Sequence, residues 1–133
     1  VRVAAGWDIS DAWFFEAVAM ADARGSTDLS TVIETGDFVN HAIFNAEEIE
    51  QAVGRLRSAG LLTVVDDRFA LTGEASELWG RSPSRYALER MRWLEAVLNE
   101  KYEFDTALAW SLDRQAWREA LSAYQGRLRR RSV

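Results

Sequence analysis

The stretch that most restricts the fold is Asn45–Thr72, NAEEIEQAVGRLRSAGLLTVVDDRFALT. Asn45 with Glu48 three residues on has the spacing of a capping box, so a helix is expected to begin there. Ile49, Ala52, Val53 and Leu56 then recur at i, i+3, i+4 and i+7, which lays a single apolar stripe against a core. Gly60 supplies a left-handed stop. Leu61–Val65 and Arg68–Leu71 are apolar or β-branched and are separated only by Asp66 and Asp67, the loop length of a tight β-hairpin. Helix, glycine, hairpin is the order around which the rest of the chain is read.

Upstream, Asp8 to Arg24 reads as a helix, with Asp8, Ser10 or Asp11 as cap and Gly25 beyond its end. Ile9, Trp13 and Met20 form one stripe, Phe14 and Val18 lie further round, and Phe15 further still. A helix apolar on most sides is buried on most sides, and in a chain of 133 residues part of that cover is expected from a second subunit. Leu29, Val32, Ile33, Gly36, Val39 and Ile43 share a face of a second helix from Asp28 to about Ile43. Gly36 on that face implies close packing against a neighbour, although Gly36-Asp37 also suits a helix end.

Downstream, Thr72 can cap a short helix over GEASELWG. Ser82-Pro83 signals the start of a longer helix reaching about Glu100, with proline at the first helical position. Leu88, Met91, Leu94 and Leu98 make one of its stripes, and Tyr86, Trp93 and Val97 a second that would look for a partner. Phe104 to Leu112 is apolar without a period. From Asp113 a last helix carries Trp117, Ala120, Leu121, Tyr124 and Leu128 on one face and ends in Arg127, Arg129, Arg130 and Arg131, a run that reads as a solvated, disordered end.

Cysteine is absent, so disulfides and thiolate metal sites are excluded. No run of apolar residues is long enough for a transmembrane helix, and VRVAAGWD lacks the apolar core of a signal peptide, so a cytoplasmic protein without membrane contact is expected. The net charge of -5 is unevenly spread. Residues 26–72 hold eight acids against three arginines, whereas 73–133 hold nine acids against eleven bases.

The string LRSAGLLTVVDDRFALTGEASELW resembles the recognition helix, wing and following helix of MarR- and PadR-type winged-helix proteins. Gly73 directly after Leu71-Thr72, with Ala75-Ser76 where those families place a glycine, is a small departure. GDFVNHAIFNAEEIEQAVGRL is closer to a set of uncharacterised bacterial winged-helix proteins. The resemblance covers about residues 8–80 and leaves 81–133 as C-terminal helices. It implies a mainly α, single-domain winged helix-turn-helix with a small antiparallel hairpin wing. It further implies a homodimer held by the first and C-terminal helices, with the third helix entering the DNA major groove, as in a transcription regulator.

On that reading Gln51, Arg55, Arg57 and Arg68 are the DNA-contacting candidates. Against them stand Glu47, Glu48 and Glu50 at the end of the helix that approaches phosphate, and Asp66 and Asp67 at the hairpin tip. The alternative is a protein–protein interaction module that has lost DNA binding. Six tryptophans favour contact surfaces, and Trp13, Phe15, Tyr86, Trp93 and Val97 are the interface candidates, although a simple core role suits Trp13 and Trp117 as well. Glu34, Asp37 and His41, at i, i+3 and i+7, have the spacing of a divalent-ion site, and a solvated polar face accounts for them equally. Met91, Trp93, Tyr102 and Phe104 are candidates for lining an apolar pocket. One histidine, one lysine and no glycine-rich phosphate loop suggest neither catalysis nor a cofactor.

Overall fold

A computed structural model describes residues 1–131. Among them six helices and four short strands follow in the order β1 (Arg2–Ala4), α1 (Ile9–Ala23), α2 (Leu29–Asn40), α3 (Ala46–Ser58), β2 (Leu62–Val65), β3 (Arg68–Leu71), α4 (Gly73–Gly80), α5 (Ala87–Lys101), β4 (Glu103–Asp105) and α6 (Arg114–Arg131). The protein is mainly helical with two small antiparallel two-stranded sheets, β1–β4 and β2–β3. No helix among the described residues is long and apolar enough to cross a membrane.

α1 is the central rod. Asp8 caps it through a reciprocal box with Asp11, and Phe14, Phe15, Ala12, Ala17 and Val18 are all fully buried. Neighbours surround it: α2, α3, α5 and the hairpin all pack on it. The many-sided apolarity is therefore satisfied within one chain. Trp13 and Phe15, expected at a subunit interface, are 4% and 0% exposed in this core. Trp13 stacks on Phe44 with ring centroids 3.7 Å apart and donates its indole N–H to the Gly36 carbonyl.

α2 runs through Gly36 and stops at His41, which takes a left-handed conformation (φ 53°). A Cβ on Gly36 would collide with the Phe44 ring, the close packing its place on the inner face implies. Ile43 lies beyond the helix and is 38% exposed, because the stop at His41 turns the chain before Ile43 can join the inner stripe.

The reciprocal cap of Asn45 and Glu48 opens α3, with Glu48 N–H to Asn45 Oδ1 at 2.7 Å and Asn45 N–H to Glu48 Oε1 at 2.9 Å. Ile49, Ala52, Val53 and Leu56 are fully buried. The β2–β3 hairpin turns on Asp66 (φ 50°) and Asp67 (φ 60°), both left-handed, as a two-residue loop between twisted strands requires. An isolated bridge between Asp28 and Arg68 adds the segment between α1 and α2 to the hairpin edge.

Three features depart from expectation. α5 begins at Ala87, not at Pro83, because Ser82 and Ser84 fold the SPS segment into a turn. Ser82 Oγ–H donates to the Ser84 carbonyl, and Ser84 Oγ accepts from the Tyr86 N–H. Residues 103–105 form β4 against β1, a pairing that joins the first residues to a segment far along the chain. The arginine-rich end is helical to Arg131 and docked: Arg127 and Arg131 both reach Glu34 of α2, at 2.9 and 3.4 Å.

Candidate functional site

The helix singled out for reading DNA has one face in the core and the opposite one crossed, at Gly54, by another segment of the chain. After β4 the chain crosses α3 before α6 begins. The crossing is close because position 54 is glycine: a Cβ there would sit 3.3 Å from the Leu108 carbonyl oxygen and 3.4 Å from the Trp110 nitrogen. Polar contacts tie both ends of this strap to α3. The Asp105 N–H donates to Ser58 Oγ at 2.9 Å, and the Leu112 N–H donates to Glu50 Oε2 at 2.7 Å. Arg114, in the first turn of α6, bridges to Glu50 at 3.0 Å and to Glu47 at 3.3 Å. The guanidinium of Arg114 and the Leu112 N–H hold the Glu50 carboxyl below its ordinary range. On the other side of the strap Trp110 meets Phe69 of the hairpin edge to face, 6.1 Å between centroids.

The four candidate DNA contacts separate into two pairs. Gln51 and Arg55 face inward, toward the start of α1. Gln51 Nε2 donates to Asp8 at 2.7 Å and to Asp11 at 3.2 Å, while Arg55 Nη1 donates to Asp11 at 2.9 Å and to the Gly6 carbonyl at 3.0 Å. The Arg55 guanidinium also lies 4.2 Å over the Phe104 ring, and its side chain is only 23% exposed. Asp11 is fully buried; burial raises its pKa against the opposing effects of the Asp8 N–H, Arg55 and Gln51. These groups join α3 to α1 and β4. Arg57 and Arg68 are exposed, on separate elements, and Arg68 donates to Ser26 Oγ at 3.3 Å.

Between strap and α3 lies an open groove of about 480 Å³, with Glu47, Gln51 and Arg55 on one wall and Leu108 and Trp110 on the other. It takes in little of the proposed apolar pocket. Phe104 is buried edge to face against Trp7, and Met91 is buried in the core. Of the interface candidates on α5, Tyr86 is 63% exposed at the helix cap, and Trp93 and Val97 are half-buried against the core.

The carboxylates of α2 are taken up by α6. Glu34 is 8% exposed; burial pushes its carboxyl up, but Arg24, Arg127 and Arg131 outweigh that and hold it below the ordinary value. Asp37 accepts from the Tyr124 hydroxyl at 2.5 Å, and burial together with that carboxylate pushes the phenol to about 12. His41 is exposed at the helix cap. No cluster among the described residues is arranged to hold a metal ion.

Sequence reasoning missed a buried lock between α1 and α5. Arg90 forms a bidentate pair with fully buried Glu16, at 2.5 to 3.0 Å, and lies 4.5 Å over the Trp79 ring, whose N–H also donates to Glu16. A glutamate within an apolar run was the available signal, since such a group needs a cation. No protein-family model, curated protein or solved structure matches the chain.

Proposed function

We propose that this protein is a winged-helix-type regulatory module that works through protein contact and does not read DNA with its third helix. The winged-helix assignment rests on three helices followed by a hairpin, with the α1–α2 connection bridged to the hairpin edge as its third strand. The strap carries the functional half. A helix enters a major groove only with its outer face bare, and here Gly54 at the middle of that face lies against the backbone of Leu108 and Trp110. Charge acts in the same direction. Lifting the strap would uncover Glu50 and remove Arg114 both from it and from the already exposed Glu47, leaving acids where phosphate would approach.

The module is non-catalytic on this reading, since its clustered carboxylates are each engaged by arginine or tyrosine partners. Fluorescence anisotropy of labelled random and genomic duplexes, titrated with the full chain across a salt series, tests it. The expected result is no association even at low salt. Binding that weakens steeply with salt and is lost in Arg57→Ala would return the protein to the DNA-reading class. Arg57 is the discriminating position because Arg55→Ala would disturb the α1–α3 contact in any case.

A further inference from the structure

One groove differs from the others in the charges around it. It holds about 370 Å³ between the start of α2, the β2–β3 hairpin, the strap and α6. Its charged lining is Asp28, Asp67 and Glu119, three acids and no base. The grooves over α3, beside Tyr86 and around Met20 and Tyr124 each carry at least one arginine. The walls are apolar. Phe69 of the hairpin and the half-buried Trp110 of the strap meet edge to face on one side. On the other, α6 turns Ala116, Ala120 and Ala123 toward the hairpin, while its larger Trp117, Leu121 and Tyr124 pack on the core. The short side chains leave the space open.

We propose that this groove binds a small organic cation, a substituted ammonium on an aromatic or short alkyl body. The volume falls within the range of small-molecule sites, whose usual make-up is apolar walls with a few polar groups at the rim. Charge selects the sign. An anion would be repelled by the three carboxylates, whereas a cation is attracted by them and by the π surface of Trp110. An inorganic divalent ion gains nothing from alanine and leucine walls, and no cluster among the described residues is arranged to hold one. Both hydrogen bonds to Asp28, from the Thr31 N–H and the Ser26 hydroxyl, end on Oδ1, and Gln115 donates to Glu119 on Oε1. The flanking arginines are directed elsewhere. Arg68 lies beside Asp28 but donates to Ser26 Oγ at 3.3 Å, and Arg127 donates to Glu34 and Ser30. The site stands whether or not α3 reads DNA.

Titration of the full, isotopically labelled chain with benzyltrimethylammonium, followed through its amide and indole N–H resonances, tests the proposal. Saturable shifts are expected at the Trp110 indole, Leu112 and Ala120, with a Kd near or below about 1 mM. Benzyl alcohol and phenylacetate, the neutral and anionic counterparts, should bind about 10-fold more weakly or not at all. Asp67→Asn and Glu119→Gln should each weaken the cation about 3-fold, leaving the neutral probe and the melting curve unchanged. Asparagine keeps the left-handed backbone at position 67 accessible, so the hairpin turn is retained. Ala120→Leu, which fills the space, should abolish binding. No saturable shift at these groups would overturn the proposal, and so would equal affinity for all three probes, the mark of a groove that is only apolar. A cation held as tightly by the Asp67→Asn, Glu119→Gln double variant as by the wild type would overturn it as well.

Discussion

Gly36 and Gly54 each stand in the middle of a helix, where glycine is unfavourable by about 1 kcal/mol against alanine. Both are there because something lies against them. Over Gly36 it is the Phe44 ring, a core side chain locked between Trp13 and Phe14. Over Gly54 it is the main chain of the strap, which sits at the surface and leaves Leu108 56% exposed. The first glycine marks the inside of the domain. The second marks the outer face of α3, crossed there by the protein's own chain. A mid-helix glycine thus reports a close neighbour without reporting whether that neighbour is core or cover.

Substitutions should separate the two cases. Gly36→Ala has no room, since the Phe44 ring cannot retreat through its neighbours, and overpacking should cost about 1–3 kcal/mol in a denaturant titration. A loss below the range for surface changes would mean that the ring is free to move.

Acid should act next, and selectively on the cover. Glu50 and Glu34 are both held below the ordinary 4.5 in the folded chain, so the stability they give is complete above that value and is lost as pH falls through their lowered folded values. Glu50 ties the strap and Glu34 ties α6, so the protection of the 106–113 amides, relative to the intrinsic exchange rate at each pH, should fall on acidification before that of α1 does. Glu50→Gln should flatten that dependence for the strap.

Gly54→Ala should come out smaller. The alanine gains about 1 kcal/mol of helix propensity, and the strap must shift by a few tenths of an ångström to clear the Cβ. The net change in stability should lie within about 1 kcal/mol, with faster exchange at Leu108–Trp110 as its signature. Smallest of all, Arg57→Ala should leave stability within about 0.5 kcal/mol, because the side chain is exposed at the last turn of α3.

Much of this architecture is readable without coordinates. The Asn45–Glu48 box, the Ile49–Leu56 stripe, the Gly60 stop and the two-residue hairpin are local signals, each complete within a few residues, and the chain folds as they direct. Gly36 belongs with them, since its place on an apolar stripe already implied a close neighbour. Other features depend on partners far along the chain. β1 and β4 are three residues each, too short for alternation to show, and they pair across about a hundred positions. Gln51 and Arg55 look like outward polar residues until Asp8, Asp11 and Gly6 arrive to receive them. The arginine tail reads as solvated until Glu34 of α2 is placed beneath it. Local sequence shows which face of α3 is apolar. It does not show that the polar face is covered as well.

The most direct test of that cover is a nuclear Overhauser measurement on the full chain at neutral pH. A Cβ at Gly54 would lie 3.7 Å from the Ala109 Cα, so strong cross-peaks are expected from the Gly54 α-protons to Ala109 and the Trp110 amide. Their presence, with slowed exchange at Leu112 where its N–H meets Glu50, is the result the covered-helix account requires. Absent cross-peaks in a folded protein, with the strap amides exchanging freely, would contradict it and leave α3 open to a groove.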